Sequence, residues 1–401
     1  MKNIFLTIFI LIAAALPSMA QDTTEASEYE KFLQQEQQGV QQEEQAFAQY
    51  KAEVTKQFDD YVAEQERLYK EYTGQIEKKW GKDKTKTSTK EEYVSYDSNY
   101  SARKSVNFEE GKAKVEVLMT EAEAKNPAVV QQKLQEQVAQ LAVTKGGTDP
   151  LEKKNNIKPE KKPIVSEQLA MADGKPVTER NAKQFAEEAV KTVPVTQEVV
   201  TGKDGIKRVV VGVQVPLVPN HVKKRAADFR ETVKKESDRF GIDITLVYAI
   251  MHTESYFNPK AKSPVPAFGL MQLVPKSGAR DAYLFARKKD SLVTGEYLYV
   301  PDNNIELGTA YLTKLMTVEF RKITDPKSRI YCTISAYNTG PGNVAKAFTG
   351  KRNVNQATPK INAMTSDEVF EHLKKNLPFE ETRTYVAKVS ERMGLYNEWS
   401  K

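Results

Sequence analysis

The sequence predicts a multidomain α+β protein, in which an amino-terminal helix and an α+β domain precede a mainly α-helical domain. Three observations lead to this fold class. Residues 21–82 are rich in Gln, Glu and Lys and carry apolar side chains at helical intervals. Two stretches of alternating apolar residues, each with a glycine-bearing turn, then lie among helical segments. From His221 onward helical periodicity dominates. The predicted divisions are residues 1–20, 21–90, 91–219 and 220–401.

The composition narrows the functional classes. The chain has 401 residues, of which 39% are hydrophobic, so packed cores are expected. One cysteine excludes a disulfide scaffold and a cysteine-rich zinc module, and with three scattered histidines a metal-based chemistry is not expected. Sixty basic against 54 acidic residues give a net charge of +6, which favours an acidic partner only weakly. The Lys-rich stretch from Glu152 to Pro163 has no interleaved aromatic residues, so no nucleic acid is expected as a partner.

Residues 1–20 are predicted to be a signal peptide. Lys2 supplies positive charge, Ile4 to Ala15 form an apolar run, and small residues at Ser18-Met19-Ala20 precede Gln21. That run is shorter than the about 20 residues that span a bilayer. We therefore expect an exported protein cleaved after Ala20. Since no cysteine adjoins this site, a lipid anchor is not expected, although a peripheral position at a membrane stays open.

The 21–90 segment is predicted to be a long helix or a helical pair. An apolar stripe recurs every seven residues, at Leu33, Val40, Phe47, Val54, Tyr61 and Leu68. Such a stripe needs a partner surface. Two alternatives are open, namely packing on the protein's own next domain and self-association as a coiled coil.

The 91–219 segment is predicted to be a compact α+β domain. One hairpin is expected between Tyr93 and Leu118 with a turn at Gly111, and a second between Val199 and Val211. A short helix is expected at about residues 182–192. The Lys-rich stretch from Glu152 to Pro163 contains two prolines and is predicted to be an exposed connection.

The helical domain carries a carboxylate in an unusual position. Asp243 is placed to cap a helix on which Val247, Ile250 and Glu254 share one apolar face. Burial and the negative helix end both disfavour the ionised form, so Glu254 is expected to have a raised pKa and to suit general acid catalysis. The alternative is an edge glutamate that reaches water.

Two later segments add polar groups typical of a cleft. A loop rich in Pro and Gly contains Met271 and Gln272, and a helix carrying Tyr337 and Asn338 ends in a Gly-Pro-Gly turn. Amides and a phenol at a helix end suit sugar hydroxyl and acetamido groups. Each signal is weak alone, because Tyr337 could be a core aromatic and Asn338 a local cap.

Together these segments resemble the lytic transglycosylases of the soluble-lytic type. Glu254-Ser255, Gly269-Leu270-Met271-Gln272, Ala336-Tyr337-Asn338 and the run Glu381–Val386 match four family motifs in order. The segment Trp80–Met119 also looks like the amino-terminal domain of a membrane-bound member. The Gln-rich helix and the missing lipid-attachment cysteine depart from the pattern, which leaves membrane attachment open.

The resemblance implies a lysozyme-like catalytic domain at residues 220–401 that acts on peptidoglycan glycan strands. Glu254 would be the single acid and base, cleaving between N-acetylmuramic acid and N-acetylglucosamine to give 1,6-anhydromuramoyl products without water. The implied reaction needs neither a metal nor an organic cofactor. The implied substrate-binding residues are Ser255, Met271, Gln272, Tyr337, Asn338 and Tyr385. Ser255 would hold the acetamido group or the Glu254 carboxyl. Cell-wall or outer-membrane proteins are further candidate partners.

Two other functional classes stay open. A hydrolytic muramidase would need a second carboxylate, for which the candidates are Asp243, Glu296, Asp302 and Glu306. A noncatalytic wall-binding scaffold would need none. Because the motifs all follow Phe240, we expect residues from about His221 to hold the glycan chemistry, with few contacts crossing residues 216–220.

Overall fold

The computed structural model describes residues 23–263 and 267–399. The predicted signal peptide and two prolines of the loop before Gly269, Pro264 and Pro266, lie outside the described residues. The chain divides into two compact units between Asp59 and Asp60. It is mostly helical, with one small antiparallel sheet. In the described part of the chain, no helix has the length and apolar character needed to cross a membrane.

A single long helix, α1 (Thr23–Trp80), confirms the prediction of a long helix in the 21–90 segment. In the first unit it exposes more than half of the Phe32 and Val40 side chains. In the second unit, the end of the apolar stripe packs on the protein itself. Leu68 is buried, and the backbone N–H of Gly295 donates to the Tyr61 hydroxyl at 2.9 Å. At this end, the partner surface of the stripe is therefore the protein's own next domain. Self-association through the first unit stays a prediction.

The two predicted hairpins join in one five-stranded antiparallel sheet of order β1-β2-β3-β5-β4. The strands are β1 (Glu92–Tyr96), β2 (Ala102–Asn107), β3 (Lys112–Met119), β4 (Thr196–Thr201) and β5 (Lys207–Pro216). The first region is a three-stranded meander rather than one hairpin. Its last strand pairs with the second hairpin, so that Val115 lies opposite Val213.

Helices cover both faces of this sheet. The helices of this region are α2 (Glu121–Ala124), α3 (Pro127–Val143), α4 (Pro150–Lys154) and α5 (Ala182–Thr192). Leu134 and Val138 of α3 belong to the core on one face, together with α5. On the other face, Tyr72, Ile76 and Trp80 from the end of α1 pack on strand side chains.

The predicted exposed connection from Glu152 to Pro163 is wrong at its start. Glu152 is half-buried, and its carboxylate accepts hydrogen bonds from the Tyr93 hydroxyl at 3.1 Å and the Gly147 backbone N–H at 2.8 Å. Burial raises its pKa to about 7. The reason is a capping box, because Asp149 and Glu152 are three residues apart around the start of α4. That spacing is visible in the sequence.

The remaining chain is helical. Its helices are α6 (His221–Ala227), α7 (Arg230–Phe240), α8 (Ile244–Ser255), α9 (Arg280–Arg287), α10 (Gly295–Leu298), α11 (Pro301–Lys314), α12 (Pro326–Thr339), α13 (Pro341–Thr349), α14 (Val354–Asn362), α15 (Ser366–Asn376) and α16 (Glu380–Met393). Helix α8 is central, since nearly all of its side chains are buried rather than those of one face.

The expectation that few contacts cross residues 216–220 is wrong. Arg225 of α6 is buried and donates to the backbone carbonyl of Ile164 at 2.9 Å, and its guanidinium lies 3.6 Å from the centre of the Phe108 ring. The Tyr256 hydroxyl donates to Glu109 at 2.7 Å. The sheet region and the helical region are therefore tightly packed on each other within the second unit.

Candidate active site

Glu254 lies in the last turn of α8, as predicted. Asp243 caps the start of this helix by accepting a hydrogen bond from the Thr245 backbone N–H at 2.8 Å. The helix ends at Ser255 because Tyr256 adopts a left-handed conformation with φ of 49°. Since the helix runs through the core, the Glu254 side chain is 95% removed from solvent. The alternative of an edge glutamate that reaches water is wrong.

The surroundings of Glu254 set its proton affinity. Burial is the largest influence and raises the pKa of its carboxyl. The Lys90 ammonium, 3.7 Å from Oε2, and the Tyr385 hydroxyl, which donates to Oε1 at 2.7 Å, both lower this pKa, and Glu381 raises it. The net direction is upward. A carboxyl with a raised pKa stays protonated nearer neutral pH, which is what a general acid requires.

The turn that carries the glycine-bearing motif is held by buried hydrogen bonds. Gly269 has φ of 77°, and a Cβ there would come within 2.4 Å of the Asn304 amide nitrogen and 2.5 Å of the Leu298 carbonyl oxygen, so only glycine fits. Asn304 accepts from the Met271 backbone N–H at 2.8 Å and donates to the carbonyls of Phe268 and Leu298. Sequence reasoning missed Asn304. Asn304 follows Asp302 and Asn303 in the polar first turn of α11, so the sequence carries no local signal for its burial.

A cleft of about 530 Å³ opens beside Glu254. It is lined by Lys90, Glu254, Ser263, Ala267, Gln272, Leu273, Val274, Ser277, Gly278, Tyr311, Tyr337, Asn338, Thr339, Gly340, Asn343, Phe379, Glu381 and Thr382. Hydroxyl and amide groups alternate here with apolar walls, and the Phe379 ring is 54% exposed. This mixture suits a sugar polymer, whose rings have apolar faces and hydroxyl edges.

Four of the predicted site residues meet at this cleft. Glu254, Gln272, Tyr337 and Asn338 line it. The Tyr337 hydroxyl donates to the Met271 carbonyl at 2.8 Å, and the Asn338 carbonyl oxygen accepts from the Thr382 hydroxyl at 2.6 Å. Tyr385 lies behind the cleft as the hydrogen-bond donor to Glu254.

Two predicted substrate contacts need correction. The Ser255 side chain is fully buried and donates to the backbone carbonyls of Met251 at 3.0 Å and Leu270 at 2.7 Å. It therefore ties α8 to the glycine-bearing turn instead of facing the acetamido group or the Glu254 carboxyl. The Met271 side chain is also fully buried and packs against Gly308. Both residues shape the turn from behind.

The four candidate second carboxylates are engaged elsewhere. Asp243 caps α8, Asp302 accepts from Thr232 at 2.7 Å, Glu296 accepts from Gln65 at 3.4 Å, and Glu306 pairs with Arg239 and Arg287 at 2.7 and 2.6 Å. Among the described residues that line the cleft, the other carboxylate beside Glu254 is Glu381, whose side chain is 72% exposed.

Comparisons with known proteins show the family to which the chain belongs. Residues 231–359 match the family model described as "Transglycosylase SLT domain", and residues 32–228 match "Membrane-bound lytic murein transglycosylase C, N-terminal domain". Membrane-bound lytic murein transglycosylase C of Cronobacter sakazakii is 33% identical over 332 residues, covering 82% of this chain and 88% of the relative. That of Sodalis glossinidius is 33% identical over 324 residues, covering 80% and 87%.

Among solved structures, an inactive mutant of lytic transglycosylase Slt from Pseudomonas aeruginosa is 30% identical, with a TM-score of 0.33, over 42% of this chain and 24% of that one. The domain match and the relatives define the class of protein as a lytic transglycosylase acting on peptidoglycan. The chain belongs to the family of membrane-bound lytic murein transglycosylase C.

Proposed function

We propose that the protein cleaves the β-1,4 bond between N-acetylmuramic acid and N-acetylglucosamine without water, leaving a 1,6-anhydromuramoyl end. One observation carries this proposal. Glu254 is a buried carboxyl at the wall of a polar cleft, with a raised pKa and a hydrogen bond from Tyr385. The helical region at residues 220–401 would then be a lysozyme-like catalytic domain, as the motifs imply.

Proton transfer by Glu254 would begin the reaction. The protonated carboxyl gives its proton to the bridging oxygen, and the bond from that oxygen to C1 of the muramoyl residue breaks. The 2-acetamido oxygen of the same sugar supports C1 as the bond breaks. This step leaves Glu254 ionised, and the Tyr385 hydroxyl and the Lys90 ammonium stabilise the carboxylate.

The same carboxylate would complete the reaction as a base. It removes the proton of the muramoyl 6-hydroxyl, whose oxygen bonds to C1 and displaces the acetamido oxygen. Glu254 regains its proton, so acid and base roles alternate within one turnover. The apolar walls at Ala267, Leu273 and Val274 reduce the access of competing water. Gln272, Tyr337 and Asn338 would bind the sugars beside the cleaved bond.

Product analysis tests this chemistry. Purified protein is incubated with isolated sacculi, and the released muropeptides are examined by mass spectrometry after borohydride treatment. We expect anhydromuramoyl ends, which lack one water and resist reduction. Reducing ends would instead favour the hydrolytic muramidase. Absence of any released product would favour a wall-binding scaffold.

We also propose that the protein acts after export, in the periplasm. Support comes from the charge, apolar run and small residues of positions 1–20. The relatives named above are described as membrane-bound. Intact-mass measurement of protein from its native host should give a chain beginning at Gln21. Retention of Met1 would contradict cleavage, and an added acyl mass would contradict the expectation of a mature chain without lipid.

A further inference from the structure

A lysine from outside the transglycosylase match reaches the reacting carboxyl. Lys90 lies just before β1, within the residues matched by the amino-terminal family model. Its ammonium is 3.7 Å from Glu254 Oε2 and 3.6 Å from Glu381 Oε1. It is the one cation among the described residues that line the cleft. None of the four sequence motifs includes it.

The backbone around Lys90 is fixed by bonds that do not involve the cleft. The Thr89 backbone N–H donates to the Glu92 carbonyl at 2.8 Å, and the Glu92 backbone N–H donates to the Thr89 hydroxyl at 3.1 Å. On the other side, the Phe108 backbone N–H donates to the Glu91 carbonyl at 2.9 Å. The sheet region thus presents the lysine to the cleft from a rigid turn, and the side chain is only 29% exposed.

The groups that face Glu254 come from three elements. Helix α16 contributes Tyr385 and Glu381, the segment before β1 contributes Lys90, and α12 contributes Tyr337. Of these, Lys90 brings the positive charge and Glu381 an opposing negative charge. Their effects on the Glu254 carboxyl therefore have opposite signs.

We propose that Lys90 is a positioning residue of the transglycosylase reaction, holding the Glu254 carboxylate through an ion pair supplied by the sheet region. This inference rests on the proposed role of Glu254 as acid and base. A carboxyl buried without a cation would hold its proton too tightly to release it to the bridging oxygen. The ion pair stabilises the carboxylate that exists between the two proton transfers. The active site is then built jointly by both matched regions.

The pH dependence of the reaction gives a readout that a merely structural role would not move. Activity needs protonated Glu254 at the start, so kcat/KM falls as pH rises through the pKa of this group. Removing the cation in Lys90→Met raises that pKa, so the falling limb of the plot of kcat/KM against pH should move to higher pH. Removing the anion in Glu381→Gln lowers it, and the limb should move to lower pH. We expect the maximal rate of Lys90→Met to fall about fivefold.

The test uses the full chain and soluble glycan strands, with anhydromuramoyl products counted at each pH. Lys90→Arg keeps the charge and should restore most of the rate and the wild-type limb. Lys86→Met is the matched control, because Lys86 lies on the same segment but pairs with Glu92 at 2.6 Å. It should leave both the rate and the limb unchanged.

The proposal would be overturned if Lys90→Met folds and its kcat/KM falls at the same pH as that of the wild type. If that variant does not fold, Lys90→Gln decides, since this partly exposed side chain can end in a neutral polar group at the cleft edge. Absence of a shift of its falling limb to higher pH would also count against the proposal. Failure of the proposed function has its own readouts. It would show as a wild-type protein that releases no anhydromuramoyl products, or as a Glu254→Gln variant that stays active.

Discussion

Glu254→Gln should lower the release of anhydromuropeptides by about 100- to 10,000-fold, the range typical of a lost general acid and base. Glutamine keeps the size of the side chain but cannot give or take the proton. Burial of a neutral amide in place of the carboxyl should leave the fold intact, because the Tyr385 hydroxyl can still donate to the amide oxygen at the position of Oε1. Initial rates from sacculi, measured beside circular dichroism, check both expectations.

Glu391→Gln is the matched control for this variant. Glu391 is an exposed acid on α16, the same helix that carries Tyr385. Its replacement removes one negative charge from the region without touching the cleft, and activity should stay within about twofold of wild type. If Glu254→Gln kept near wild-type rates while folded, Glu254 would not be the acid, and Glu381 would become the carboxylate to test.

The sequence predicted the elements whose signals are local. The long helix, the helix at 182–192 and the second hairpin appear where periodicity and turn glycines indicated them. Glu254 was expected to be buried from its spacing to Val247 and Ile250; it is buried, although α8 buries nearly all of its side chains and not one face alone. Such patterns report how a residue relates to its neighbours in the chain, which is enough to fix a face or a turn.

The assembly of those elements depended on contacts between distant residues, for which one sequence holds little signal. The pairing of Val115 with Val213 joins the two predicted hairpins into one sheet. The sequence pattern of each hairpin would be the same without this pairing. Lys90 is one of many lysines in a polar stretch, and only the folded chain brings it to Glu254.

The motif match also did not predict the direction of each side chain within a motif. Ser255 follows Glu254 directly but points to Leu270, because adjacent helix positions face different directions.

Arg225 explains why a boundary at residues 216–220 is not a weak point of the structure. Its guanidinium is buried and donates to three backbone carbonyls, those of Ile164 at 2.9 Å, Tyr256 at 3.1 Å and Phe257 at 2.6 Å. It also stacks on the Phe108 ring. Burial lowers its pKa to about 10, so the group is still charged at neutral pH. One side chain thus joins the sheet region to the turn that follows Glu254.

Arg225→Met should destabilise the second unit by about 3–5 kcal/mol, since three buried carbonyls lose their donor while methionine restores only the apolar stem. Denaturant unfolding of the full chain measures this loss.

Lys224→Met is the control, because Lys224 is on the same helix and its ammonium lies 3.7 Å from the exposed Glu167. Its removal should cost less than about 1 kcal/mol. Activity should fall with stability in Arg225→Met, because Tyr256 and Phe257 end the helix that positions Glu254. Equal free energies of unfolding for the two variants would mean that the carbonyls find water instead, and that the sheet region and the helical region are joined elsewhere.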